Sequence, residues 1–329
     1  MNRPLLSVCL ITYNHVQFIE QAIDSVFAQE VDFSWELIIA DDFSTDGTRE
    51  IILKYKEKYP DNIRLILQKQ NVGSVQNWMD LITASKATYL AYFEGDDYWT
   101  LPYKLQRQID FLENNPDFNL CFHNVDHLTL EGNLVRNTIQ PQGEITTLED
   151  LALENYITSL SIVFRNTITE LPRFLFKSPL GDYTLYFLIA IDSKIQYFDE
   201  VMGVYRLHAN SMFRSKPLEE RYCDIMAAIS LIFENLELND TIKENLLIHF
   251  RRIRSEMLNN SFNNDQPLST ETISQLNSFD SKSLISSFYN ELQSHHKTLT
   301  NSQLDADRLS RTVRITTLLE AILKKFYTR

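Results

Sequence analysis

Three acids, Glu94, Asp96 and Asp97, stand within four positions in the stretch YFEGDDYWT. The residues that lead into them, 89–93, are apolar or aromatic and read as a buried strand. Carboxylates this close repel one another, and each is costly to bury unless a positive partner lies among them. Oxygen ligands suit Mg2+ or Mn2+, and Mg2+ is commonly held by one or two carboxylates together with substrate phosphates. An acidic cluster, a divalent cation and a diphosphate would form a neutralising set. The plain alternative is a solvated loop that caps a strand. The cluster's company favours the cation, because polar groups follow three other apolar runs. TYN follows residues 5–11, DDFSTDGT follows 35–40 and QNVGS follows 63–67.

The elements that must position these groups alternate in type. Phe18, Ile19, Ala22, Ile23, Val26 and Phe27 recur at helical spacing. Ile51, Ile52, Tyr55 and Tyr59 mark a second helix, with Asp46 or Thr48 able to cap it. Val75, Trp78, Met79 and Ile82 stripe a third helix, and Leu105, Ile109 and Leu112 a fourth that Pro102 would open. Repeated strand–helix units imply a mostly parallel sheet flanked by helices, in which ligands sit outside the carboxyl ends of the strands. Beyond residue 120 the pattern loosens. LCFHNVDHLTL and SLSIVFR read as strands, LGDYTLYFLIAI as a helix and QYFDEVMGVYRLH as strand-rich. We read residues 1–115 as one half of an α/β domain, 116–216 as its second wall, and 217–329 as a separate helical region.

The bulk of the chain excludes several classes. Its 329 residues carry a formal net charge of −13, which argues against broad binding to nucleic acid. Cys9, Cys121 and Cys223 are an odd number in apolar runs, without zinc spacing. With seven glycines and neither a G-x-x-x-x-G-K-[ST] nor a G-x-G-x-x-G run, no glycine cradle for phosphate is present. No secretory leader or membrane span is recognisable, so a cytoplasmic place is expected, with peripheral contact on the inner face of the plasma membrane as an option. That option comes from residues 308–329, which hold six basic residues and one acid beside an apolar stripe that includes Leu309, Leu319 and Leu323. The same helix suits packing on the domain or on a second chain.

The segments SVCLITYNHVQFIEQAIDSVFAQ, ELIIADDFSTDGTREII, NVGSVQNW and YFEGDDYWTLPYKLQRQIDFLE resemble the nucleotide-sugar-binding half of inverting family-two glycosyltransferases with the GT-A fold. The resemblance is strong over residues 5–115 and extends to about 212 through GDYTLYFLIA and VYRLHANS. It implies transfer of a sugar from a nucleoside diphosphate, UDP above others, to a hydroxyl of a surface glycan or lipid-linked oligosaccharide. It places Tyr13 against the base and Asp42 on its ring N–H. Asn71, Gly73 and Asn77 would line the ribose and sugar, with Ser44, Asp46 and Gly47 shaping a turn. Asp96 and Asp97 would bind Mn2+ or Mg2+ and the ribose, with Glu94 standing where the family has an aspartate. Asp182 would be the catalytic base, preceded by Gly181 where an acid is common; its plain alternative is a helix cap. His208 would bind metal or diphosphate, and Arg206 and Ser211 would close over the diphosphate. His123 is a candidate for the acceptor side, and the aromatic stripe of 183–187 reads as core. Two readings stay open beside this one: a nucleotidyltransferase, and a non-catalytic nucleotide-sugar-binding protein.

Overall fold

The structure is a computed structural model and describes residues 3–168, 170–208, 211, 213, 215–263, 269 and 272. The basic segment 308–329 lies outside them. Four strands open the chain: β1 (Leu6–Thr12), β2 (Trp35–Asp41), β3 (Ile63–Leu67) and β4 (Tyr89–Glu94). They pair in parallel in the order β3-β2-β1-β4. β1 is buried along its whole length, as near-continuous Leu, Val and Ile require of a strand covered on both faces. The crossovers between them are α1 (Ile19–Phe27), α2 (Thr48–Lys58) and α3 (Ser74–Ala84). In α1, Ile19, Ala22, Ile23 and Val26 are buried, the i, i+3, i+4, i+7 stripe of a helix lying on a sheet.

After β4 the sheet ceases to be parallel. The short β5 (Tyr98–Trp99) is followed by α4 (Lys104–Asn114), which starts two residues after Pro102. Then come β6 (Phe118–Leu128), β7 (Leu134–Arg136), β8 (Ile145–Thr146), α5 (Leu148–Leu153), β9 (Val163–Arg165), α6 (Gly181–Ala190) and β10 (Lys194–Arg206). The expected strand SLSIVFR is divided. Ser159–Ser161 form a 3-10 turn, and only Val163–Arg165 pair. β9 lies antiparallel between β4 and β6 and joins the two halves of one sheet, in the order β3-β2-β1-β4-β9-β6-β10-β5 with β7 added on β6 and β8 on β10.

The chain forms two compact units, Met1–His249 and Phe250–Arg329. The helical region expected from residue 217 is shared between them. α7 (Leu218–Asn235) belongs to the first unit, and α8 (Asp240–Asn263) begins in it. No helix among the described residues is long and apolar enough to cross a membrane.

Candidate active site

Strand register brings the polar loops to one edge. Thr12 at the end of β1 lies opposite Asp41 of β2, and Ile11 lies opposite Glu94 of β4. The acid turn then leaves β4 and is caught at the far edge of the sheet. β5 pairs antiparallel with β10, Trp99 opposite Gly203 and Tyr98 opposite Val204. Two residues further along that register, Arg206 comes level with Asp96. The turn is clamped from inside as well. Phe93 and Trp99, both buried, stack with centroids 4.7 Å apart, and the Trp99 indole donates to the Leu160 carbonyl at 2.8 Å.

The three acids have unlike surroundings. Tyr92 donates to one Glu94 oxygen at 3.2 Å and Ser159 to the other at 2.7 Å. Burial, with the charge of Asp96 behind it, pushes Glu94 up to about 8. Asp96 receives a hydrogen bond from His208 Nε2 at 2.8 Å on Oδ2, and His15 Nε2 stands 3.8 Å from the same oxygen. Burial works to raise Asp96, but the bond from His208 and the nearby His15 outweigh it and hold the carboxyl below its ordinary value. Asp97 is buried and accepts the Arg206 backbone N–H at 2.9 Å. Burial, then the charges of Asp96 and Glu94, drive it well above the usual carboxylate range.

Gly95 lets this turn lie flat on its neighbours. A Cβ there would sit 2.9 Å from Thr12 Oγ1 and 3.0 Å from Ile19 Cδ1. Thr12 is β-branched and buried, so it cannot swing away. Overpacking of this kind costs about 1–3 kcal/mol. Gly95→Ala should therefore lower the stability by that amount in urea melts, and an unchanged midpoint would show that the turn relaxes freely.

Arg206, expected over the diphosphate, lies against the acid turn. Its guanidinium donates to the main-chain carbonyl of Asp96 and to Gln21, and it packs on the rings of Tyr98 and Phe18 at 4.5 and 5.0 Å. It braces the acid turn from behind. Ser211 is buried, and its hydroxyl oxygen accepts the His208 N–H at 3.1 Å.

On the neighbouring loops, Tyr13 is 45% exposed at the end of β1. Asp42 is buried, with its two oxygens accepting the N–H groups of Val72 at 2.7 Å and Gly73 at 3.0 Å. Burial raises its pKa against the pull of these donors. Asn71 is exposed on the same loop and accepts the Gly73 N–H at 3.2 Å. Asn77, expected along the ribose, is fully buried. It donates to the Ala40 carbonyl at 3.0 Å and accepts from Gln68, so it holds α3 to β2. Asp41 is paired with Arg49, whose Nε lies 2.6 Å from Oδ2. Asp46 accepts the N–H of Thr48 at 3.0 Å and that of Val16 at 3.0 Å, joining the start of α2 to the loop after β1.

Asp182 lies in the first turn of α6, one residue inside the helix and not at the cap position, which is Leu180. Its Oδ1 accepts the Tyr183 N–H at 2.8 Å, and the Tyr186 hydroxyl lies 3.5 Å from Oδ2. Burial raises its pKa, and its charge contributes to the upward shift of Glu94. Tyr183, Tyr186 and Phe187 are buried, as a core stripe should be. His123 is also buried, on β6, with Nδ1 2.7 Å from the Asn124 carbonyl.

The donor set fits a divalent cation. Asp96 Oδ1 and Asp97 Oδ2 are buried oxygens with no hydrogen-bond partner. Glu94 and Asp97 are raised first by burial and then by the charge of Asp96. Among the described residues no three His, Cys, Asp or Glu side chains form a ready-made cage. A cation here would complete its shell with phosphate oxygens and water. Sequence reasoning missed His15, Gln21 and Ser159. His15 directly follows TYN, and its place after a strand end was the available signal; the partners of Gln21 and Ser159 depend on distant elements.

Residues 7–167 match the family model Glycosyl transferase family 2. That part of the chain belongs to family two, and the fold around it is GT-A with additional C-terminal helices. An uncharacterised protein of Mycobacterium tuberculosis is 34% identical over 220 residues, 66% of this chain and 62% of that protein. The chain thus spans under two thirds of that relative's length. The Escherichia coli UDP-Glc:alpha-D-GlcNAc-diphosphoundecaprenol beta-1,3-glucosyltransferase WfgD is 26% identical over 230 residues, 69% of this chain and 87% of that one. Among solved structures, S. aureus TarS 1–349 in complex with UDP superposes with a TM-score of 0.61 at 18% identity, covering 83% of this chain and 78% of TarS.

Proposed function

We propose that the chain is an inverting glycosyltransferase that moves one sugar from a nucleoside diphosphate, UDP, to a hydroxyl of a glycan or lipid-linked acceptor, with Mn2+ or Mg2+ bound. The observation that carries this reading is the pair of unpartnered buried oxygens of Asp96 and Asp97, at the same strand edge as Tyr13 and Asp42. UDP is favoured because a small acid beside an exposed tyrosine suits uracil, and because WfgD is named for a UDP-Glc donor and TarS was solved with UDP. The lipid-linked acceptor rests on the name of WfgD alone.

In this mechanism Tyr13 and Asp42 hold the base, and Asp96 and Asp97 would hold the cation, with His208 hydrogen-bonded to Asp96. When bound, the cation supplies positive charge to the diphosphate as it departs. Asp182 accepts the proton of the acceptor hydroxyl as that oxygen bonds to the anomeric carbon on the face opposite the diphosphate. The bond from that carbon to the diphosphate oxygen breaks, and its electron pair leaves with the diphosphate. A raised pKa suits Asp182 to this task, because a stronger base takes a hydroxyl proton more readily.

Thermal denaturation against UDP, dTDP and GDP, each with and without Mn2+, tests the donor. A ligand that prefers the folded state raises the melting point. UDP with Mn2+ should give the largest rise. A melting point that no nucleoside diphosphate moves would refute the proposal.

A further inference from the structure

The donor-side loops hold one residue that this mechanism leaves idle. Phe43 follows Asp42 directly and has φ of 65°, in the left-handed region. A side chain there crowds the following carbonyl, so glycine or asparagine is the usual occupant and a bulky residue is an outlier. Its ring is nevertheless 40% exposed, so burial does little to offset the strain. Strain kept in a folded chain clusters at functional places.

The ring is also held still. The Arg49 guanidinium lies over it, 5.4 Å from the centroid. Arg49 is fixed in turn by Asp41 at 2.6 Å and by the Gln68 carbonyl at 2.9 Å. The loop beneath is stitched to the loop that carries Tyr13. The Asn14 N–H donates to Ser44 Oγ at 2.8 Å, and the Thr45 N–H donates to Asn14 Oδ1 at 2.9 Å. The Asp42 N–H donates to the Thr12 carbonyl at 3.0 Å. Two exposed aromatics thus belong to the loops that meet at Asp42, Tyr13 on the adjoining loop and Phe43 next in sequence.

We infer that Phe43 is a second aromatic contact for the donor's nucleobase, kept rigid by Arg49 at the expense of backbone strain. The inference rests on the nucleotide-donor reading. Its test is calorimetry of UDP and of inorganic pyrophosphate, both with Mn2+, on the full chain and on Phe43→Asn and Phe43→Trp, beside thermal melts of each. Loss of one base–aromatic contact weakens binding roughly fivefold to a hundredfold. Phe43→Asn should weaken UDP by that factor and leave pyrophosphate unchanged, and Phe43→Trp should keep UDP affinity. Because asparagine tolerates positive φ, Phe43→Asn should melt no lower than the native chain. Equal UDP affinity in Phe43→Asn and the native chain would overturn the inference and leave the donor reading standing. An equal loss for pyrophosphate, or a melting point several degrees lower, would make Phe43 structural. A native chain that binds no nucleotide would remove the donor reading itself, and this inference with it.

Discussion

Asp182→Asn should lower the rate of sugar transfer by about 10²–10⁴-fold, the range over which a positioned base contributes, while UDP affinity stays the same. It should also make the protein more stable at neutral pH. The sign follows from burial, which raises the folded-state pKa of Asp182 above its unfolded value. Between those two values the folded chain holds the proton more tightly than the unfolded chain, so stability falls as pH rises through that window. Above both values the buried charge of Asp182 is a burden on the fold, and asparagine removes it while its amide oxygen can still accept the Tyr183 N–H. The gain should vanish below the ordinary carboxylate range, where Asp182 is protonated in both states. Single-turnover transfer and urea melts at several pH values measure the two effects on one variant. A variant that transfers at the native rate would dismiss Asp182 as the base, whatever its stability.

The second large effect belongs to Asp96. Asp96→Ala removes one unpartnered buried oxygen and the oxygen against which His208 and His15 both rest. Outer-shell partners of a metal site already cost 10–100-fold in metal affinity when changed. UDP affinity measured with Mn2+ should therefore fall by about 100-fold or more. With EDTA in place of Mn2+, the native chain and the variant should bind UDP equally weakly. That contrast separates a cation ligand from a prop of the turn, because a prop would weaken UDP by the same factor in both buffers. Cation binding should also release protons, since burial and then the charges of neighbouring acids raise Glu94 and Asp97, and a cation would offset that cost. Calorimetry in two buffers of different ionisation enthalpy reads that release directly.

The nucleotide half of the fold was plain in the sequence for a physical reason. Each strand there is a run of five to seven mostly apolar residues that ends in turn chemistry, and each helix shows a stripe of 3.6 period. The second half was harder because its elements are short or shared. β5 and β8 have two residues each and β9 has three, too few for any period to register. The acids could be picked out because their chemistry is in their side chains. The partners of Asn77 and Arg206 could not be read the same way, because type alone does not say which way a side chain turns. Asn77 turns inward to satisfy the Ala40 carbonyl. Arg206 turns onto the Asp96 carbonyl because β5 pairs with β10, a contact between residues about a hundred positions apart.

The antiparallel seam has a consequence for how this protein is made. β9 fills the slot between β4 and β6, so the outer side of Tyr89, Leu90 and Ala91 stays unpaired until residues 163–165 arrive. A nascent chain carrying the whole nucleotide-binding half still shows a short, apolar, unpaired edge, and such edges can recruit strands from other chains. The half that resembles a module in sequence therefore borrows its last edge partner from some seventy positions downstream, and residues 1–115 expressed alone should aggregate more readily than the full chain, as light scattering would read.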